Sequence, residues 1–146
     1  MTDRSAPGAD IAVTDDLAAC HALRRAVFMD EQGISEAEEF DDLDAQAVQM
    51  LAVDALGPVG TARLLFDGAT GKIGRVCVLP RARGTGLGAA LIRAALDELR
   101  RRPGIETARL GAQVRVMPFY ARLGFAPVGE VYDDAGIPHR DMVRAL

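Results

Sequence analysis

The sequence predicts one mixed α/β domain. Three observations carry that reading. The chain has 146 residues, the size of one ordinary domain. Half of it, 49%, is hydrophobic, enough to bury a real core. Short apolar runs of strand type alternate with stretches at helical spacing. Their order is strand, helix, three strands, helix, strand, helix, two strands. The polar residues 1–10, MTDRSAPGAD, are expected to be a disordered lead, and residues 11–146 the single domain.

IAV at 11–13 reads as a strand. Thr14 or Asp15 can cap a helix whose apolar positions are Leu17, Cys20, Leu23, Val27 and Phe28, with Gly33 as its stop. Residues 34–46, ISEAEEFDDLDAQ, hold six acids between Glu36 and Asp44. They read either as a solvated acidic loop or as a negative wall that attracts a cationic substrate. VQMLAV at 48–53 and VGTARLLF at 59–66 read as a hairpin turned by LGP at 56–58. DGATGK at 67–72 reads as a turn and IGRVCVLP at 73–80 as the next strand. Leu87, Leu91, Ile92, Ala95 and Leu99 mark a helix. Arg100 to Arg102 suit its negative end, and Pro103 and Gly104 stop it. TARLGAQV at 107–114 is a strand, MPFYARLG at 117–124 a short helix, and FAPVGEVY at 125–132 a strand. Pro127 marks that last strand for a bulge or an edge. DDAGIPH is a turn, and RDMVRAL closes the chain as a strand.

Composition removes several classes of function. A net charge of −4 argues against a nucleic-acid partner, which favours a basic face. No apolar run is long enough to span a bilayer, and residues 1–10 lack the apolar core of a signal peptide. A cytoplasmic protein without a membrane partner is expected. Cys20 and Cys77 make no disulfide framework, and with only His21 and His139 there is no metal-ligand spacing. The only serines are Ser5 and Ser35, which disfavours a Ser/His/Asp triad.

The chemistry-bearing stretch is LPRARGTGLGAALI, residues 79–92. A strand, a glycine cluster and a helix follow one another. Free N–H groups and the positive dipole end at a helix N-terminus make an anion site. Gly84, Gly86 and Gly88 let a phosphate approach the backbone, and Arg83 adds charge at the mouth. The alternative is a turn whose glycines serve packing alone. A Walker A loop would need Lys-Ser/Thr after its last glycine, and neither is present. A dinucleotide fingerprint fits loosely as Gly84-x-Gly86-x-x-Ala89, but Leu79 to Arg83 separate it from the strand.

With strand, glycines and helix in place, the sequence resembles the GNAT superfamily of N-acetyltransferases, which use acetyl-CoA. VCVLPRARGTGLGAALI carries the Arg/Gln-x-x-Gly-x-Gly/Ala signature at Arg83, Gly86 and Gly88. YARLGF, from Tyr120 to Phe125, carries Tyr-x-x-x-Gly-Phe. RRAVFMDEQG, GAQ and DAGIPHRDM are similar to the ElaA-like branch. The resemblance runs from about residue 11 to 146. It implies a mostly antiparallel central sheet flanked by helices, with splayed central strands. It implies that the backbone of Val76, Cys77 and Val78 pairs with the pantetheine arm of acetyl-CoA. The N–H groups of Gly84, Thr85, Gly86, Leu87, Gly88 and Ala89 would hold the diphosphate, and Phe119 and Tyr120 would line the cofactor. Many members carry an Asn on that arm; this chain has no Asn, and Gln113 stands nearby.

The implied reaction is attack of an amine on a thioester. Tyrosine, with a pKa of about 10 against about 8.5 for a thiol, can protonate the leaving sulfur, which makes Tyr120 the expected general acid. Glu38, Glu39, Asp41 and His139 all stand as base candidates, and none is singled out. Gln32 reads as a substrate contact or a helix terminator, and His21 as a helix-face residue without chemistry. Cys77 reads as a small core residue rather than a nucleophile. Expected partners are acetyl-CoA and an amine acceptor, with no metal, and a homodimer through the last strands stays open. The alternative is a CoA-binding sensor that catalyses nothing, or a structural domain that has lost the ligand.

Overall fold

The chain folds, in a computed structural model, into one sheet covered by helices; residues 5–6 and 8–146 are described. Strand β1 (Ser5–Ala6) is a two-residue pairing onto β2 (Ala9–Thr14). The expected lead is therefore paired at Ser5, Ala6, Ala9 and Asp10, and β2 begins two residues early. The remaining residues of that lead, 1–4 and 7, lie outside the described residues.

Helix α1 (Leu17–Arg24) starts at Asp16, not at Thr14 or Asp15: the Asp16 carboxylate accepts from Ala19 N–H at 3.1 Å. Thr14 instead accepts from Asp16 N–H. The helix runs on as a π-helix over Arg25–Glu31. Gly33, with φ +72, ends the segment as expected. The acidic stretch contains α2 (Glu36–Glu39), which the loop expectation missed. Ser35 caps its start: Ser35 Oγ accepts from Glu38 N–H and donates to the Glu38 carboxylate.

Strands β3 (Val48–Asp54), β4 (Gly57–Asp67) and β5 (Thr70–Val78) form a meander. The first turn is Ala55–Leu56, and the second shrinks to Gly68–Ala69. Helix α3 (Leu87–Arg100), β6 (Thr107–Gln113), α4 (Met117–Arg122), β7 (Ala126–Asp134) and β8 (Ile137–Ala145) complete the fold. The last turn contracts to Ala135–Gly136, so His139 lies in β8 rather than in a turn.

The sheet order is β1-β2-β3-β4-β5-β6-β8-β7, and every pair except β5/β6 is antiparallel. β7 is an edge and carries a bulge between Val128 and Tyr132, as Pro127 implied. Strand residues alternate between faces. Met50 and Ala52 join the cluster that contains α3, while Leu51 joins the cluster that contains α1. The two helices therefore cover opposite faces. All five apolar positions expected on α3 are buried there.

Candidate active site

β5 and β6 pair at only three positions, Thr70↔Thr107, Gly71↔Ala108 and Lys72↔Arg109. Beyond them the two strands separate. The cause lies in β5. Gly74 opposes Arg63 and Cys77 opposes Thr61, so two β5 residues face one on β4. This is a bulge at Arg75 and Val76, and it bends the strand. Arg75 has φ +50, a left-handed conformation that costs a side-chain-bearing residue energy. From Ile73 to Val78 one edge of β5 stays on β4, and the other faces a cavity of about 580 Å³. N–H and C=O groups on that edge have no strand to pair with. Val76, Cys77 and Val78 line the cavity. Cys77 is buried, and desolvation, with the nearby Glu39 charge, pushes its thiol up to about 12, so it is no thiolate nucleophile.

The acidic stretch divides: Glu36, Glu38, Asp41 and Asp42 are exposed, as the solvated-loop reading expects, whereas Glu39 and Asp44 are buried on arginines. Buried Arg24 donates to Glu39 at 2.7 Å and to Asp44 at 2.8 Å. Buried Arg63 pairs with Asp41 at 2.8 Å and reaches Asp44 at 3.3 Å. Arg75 Nε lies 3.0 Å from Glu39 Oε2, its guanidinium donates to Glu39 O, and Nη2 lies 3.3 Å from Asp41. His21, expected to be a bystander, places Nε2 3.0 Å from Asp44. Burial alone would raise Asp44. Hydrogen bonds from Arg24 and His21 outweigh it and hold the carboxyl well below its usual range. Asp41 is likewise lowered, against the effect of burial, by Arg63. The network ties the strained Arg75 to α1 and α2, and so fixes the bulge that opens the cleft.

At the far end, Leu79 to Gly86 lead into α3. Gly84 and Gly86 have φ of +79 and +89, and a Cβ on either would project into open space. No side chain caps α3. Ala90 is the first helical N–H to find a backbone acceptor, on Gly86 O at 3.0 Å. The N–H groups of Leu87, Gly88 and Ala89 are left at an open, glycine-lined cradle, which fits an anionic group. Thr85 does not extend this set with its hydroxyl, which donates to Ala82 O. The Leu87 side chain is core, so only its backbone faces the cradle. Arg83 donates from Nε to Val78 O and forms a fork onto Glu31 at 2.6 and 2.7 Å.

Tyr120 lines the cavity from α4, packed edge-on against Phe119 and Phe125. Burial pushes its hydroxyl up to about 12, so it carries its proton throughout the neutral range. Phe119, expected beside the cofactor, packs 3.5 Å from the Cβ position of Gly88 and against the core, and is not in the cavity wall. Gln113 is in the wall. Its amide nitrogen donates to Gln32 at 3.4 Å, and its oxygen accepts from Arg115 at 3.0 Å. Gln32 thus bridges to β6 as well as ending a helix.

His139 and Glu38 also line the cavity. His139 Nδ1 lies 2.7 Å from Ile137 O; it donates there, which leaves Nε2 as the ring's acceptor. Its ring stacks on Tyr132, whose hydroxyl donates to Asp141. Tyr132 is a wall residue that the sequence reading missed, because a tyrosine in an edge strand carries no spacing signal. Burial first, then Asp141, raises its pKa. Glu38 is exposed and accepts from Ser35. Glu39 and Asp41 are occupied by arginines.

Among the described residues no helix is long and apolar enough to cross a membrane, and no group of three or more His, Cys, Asp or Glu could hold a metal ion. The acetyltransferase (GNAT) domain family matches residues 17–146. Protein ElaA of Escherichia coli is 36% identical over 128 residues, covering 85% of this chain and 84% of ElaA. The ElaA crystal structure superposes with a TM-score of 0.83 over 93% of this chain and 99% of that one. An acyl-CoA N-acyltransferase from Pseudomonas aeruginosa is 33% identical, with a TM-score of 0.84 over 94% of this chain and 99% of the other. A GNAT family acetyltransferase from Elizabethkingia anophelis, with acetyl-CoA bound, shares the fold at a TM-score of 0.74 and 15% identity, covering 95% and 99%. The splayed strands, the glycine cradle and these relatives agree: the chain belongs to the GNAT acetyltransferase family, on the branch that includes ElaA.

Proposed function

We propose that this protein transfers an acetyl group from acetyl-CoA to an amine of a small molecule or a protein, by direct attack. The observation that carries this reading is the open edge of β5, which faces one cavity together with Arg83, directly before the glycine cradle, and Tyr120; the glycines themselves lie outside the cavity wall. The Elizabethkingia relative, with acetyl-CoA bound, supports the donor. Acetyl-CoA supplies the activated thioester when bound; the chain supplies the rest. The unpaired β5 edge at Val76 to Val78 hydrogen-bonds the amide-rich arm as an added strand would. The N–H groups from Gly84 to Ala89 receive the diphosphate. A β5 N–H near Val78 donates to the carbonyl oxygen as negative charge builds there.

Tyr120 gives its proton to the departing sulfur. Its raised pKa keeps that proton in place until the C–S bond weakens. The acceptor must lose a proton to attack. His139 Nε2 is the better-placed base, since its other nitrogen is already engaged, and Glu38 is the second choice. Glu39 and Asp41 serve as counter-ions to Arg24, Arg63 and Arg75 instead.

The test is amine-dependent release of free CoA thiol from acetyl-CoA. Tyr120→Phe should cut turnover by about 100-fold or more, in the usual range for losing an acid, while CoA affinity stays within about twofold. Equal turnover would remove the role of Tyr120. Tight CoA binding without turnover on any amine would favour the sensor reading.

A further inference from the structure

Glu31 and Arg83 lie 52 residues apart in sequence and meet at the donor end of the cleft. The contact has two points: Arg83 Nη1 to Glu31 Oε2 at 2.6 Å, and Nη2 to Oε1 at 2.7 Å. The third guanidinium nitrogen, Nε, donates to Val78 O at 3.1 Å, which anchors the group on β5. Arg83 therefore presents one fork, and Glu31 fills it. A guanidinium fork matches phosphate as well as it matches carboxylate. Arg83 stands directly before the Gly84–Gly86 cradle. Both side chains are partly open to solvent, at 44% and 40%, so an incoming anion can reach the pair.

We infer that the Glu31 carboxylate and the donor's diphosphate compete for the same face of Arg83, so that Glu31 sets the donor affinity of the enzyme. This rests on the reading that the glycine cradle takes a diphosphate. Glu31 closes the π-helix, and the next residue, Gln32, contacts Gln113 on β6. The end of that helix thus touches both walls of the cleft. Donor binding at Arg83 has to release the first of these contacts, Glu31 to Arg83.

The experiment is calorimetric titration of CoA into the wild type and five variants. They are Glu31→Gln, Glu31→Ala, Asp30→Asn, Arg83→Gln and the Glu31→Gln/Arg83→Gln double variant. Removing a competitor with the strength of an exposed ion pair should tighten CoA binding by about fivefold in Glu31→Gln. Asp30→Asn removes the same charge one residue away on an exposed side chain, and should change affinity by less than about twofold. Within Arg83→Gln, adding Glu31→Gln should give no gain. Glu31→Ala should repeat the gain and guards against an effect of the new amide. An equal gain in Asp30→Asn, or a gain that persists without Arg83, would mean general charge removal and overturns the inference. So would unchanged or weaker binding in both Glu31 variants. If the wild type and every variant bind no CoA, the donor assignment falls and the inference with it. Wild-type binding without a gain in Glu31→Gln removes the inference alone.

Discussion

Helices α1 and α3 cover opposite faces of one sheet, and the two interfaces are built from different chemistry. α3 buries its own Leu91, Ile92, Leu96 and Leu99, with small Ala90, Ala94 and Ala95 between them, in one cluster with Leu64 of β4. The apolar cluster that includes Cys20 and Leu23 of α1 is small, and adds only Val27, Leu51 and Cys77. Beside it sits the network of Arg24, Arg63, Glu39 and Asp44. Hydrocarbon packing is tolerant of direction, whereas paired charges fix geometry. The α3 face provides the rigid platform on which the glycine cradle opens. The α1 face holds one strained residue, Arg75, in the conformation that parts the strands.

The strongest way to break this contrast is Arg24→Ala. It takes the fully buried arginine away from two buried carboxylates, Glu39 and Asp44, and should cost about 3–5 kcal/mol in urea unfolding. A loss below about 1 kcal/mol would mean that the network does not hold the α1 face. Leu91→Ala, on the other face, should cost about 2–5 kcal/mol through lost contacts and a cavity, by the same measurement. The smaller effect is on pH dependence. Asp44 and Asp41 have lowered pKa values in the folded chain. Their contribution is complete above the ordinary carboxylate pKa of about 4, and is lost as pH falls through the lower folded values. Unfolding midpoints should therefore drop steeply below about pH 4 in the wild type and less steeply in Asp44→Asn. Leu91→Ala should keep the wild-type acid slope; a flattened slope there would erase the distinction between the faces.

Much of the α3 half was legible in the sequence, because apolar periodicity reports burial directly. The errors fall where tertiary contact overrides a local signal. Gly71 reads as part of a turn. It is a strand residue, and a Cβ there would lie 2.3 Å from Leu99 Cδ2, so the glycine serves the close packing of α3 on β5. Missing it also hid Thr70 to Lys72, the three residues that pair with β6. DDAGIPH reads as a seven-residue turn, yet only Ala135 and Gly136 turn, and that moved His139 out of its strand. On the α1 side, the acids were visible and their partners were not. Arg24, Arg63 and Arg75 come from three different elements, and nothing local in the sequence assigns them to Glu39, Asp41 and Asp44. Arg83 and the three glycines were legible as an anion site, but Glu31, which fills the arginine's fork, was not.

The π-helix between Arg25 and Glu31 has a consequence for how this cleft can change over generations. A π-turn holds one residue more than an α-turn needs. Deleting a single residue there would restore α turns while the helix on either side kept its facing. The buried positions of α1 would stay where they are, and the segment that ends at Glu31 and Gln32 could keep its two walls. One codon gained or lost would thus change which side chains the widened turn presents to the mouth of the cleft without rebuilding the domain, a cheap route by which relatives of this chain could come to differ in what they admit.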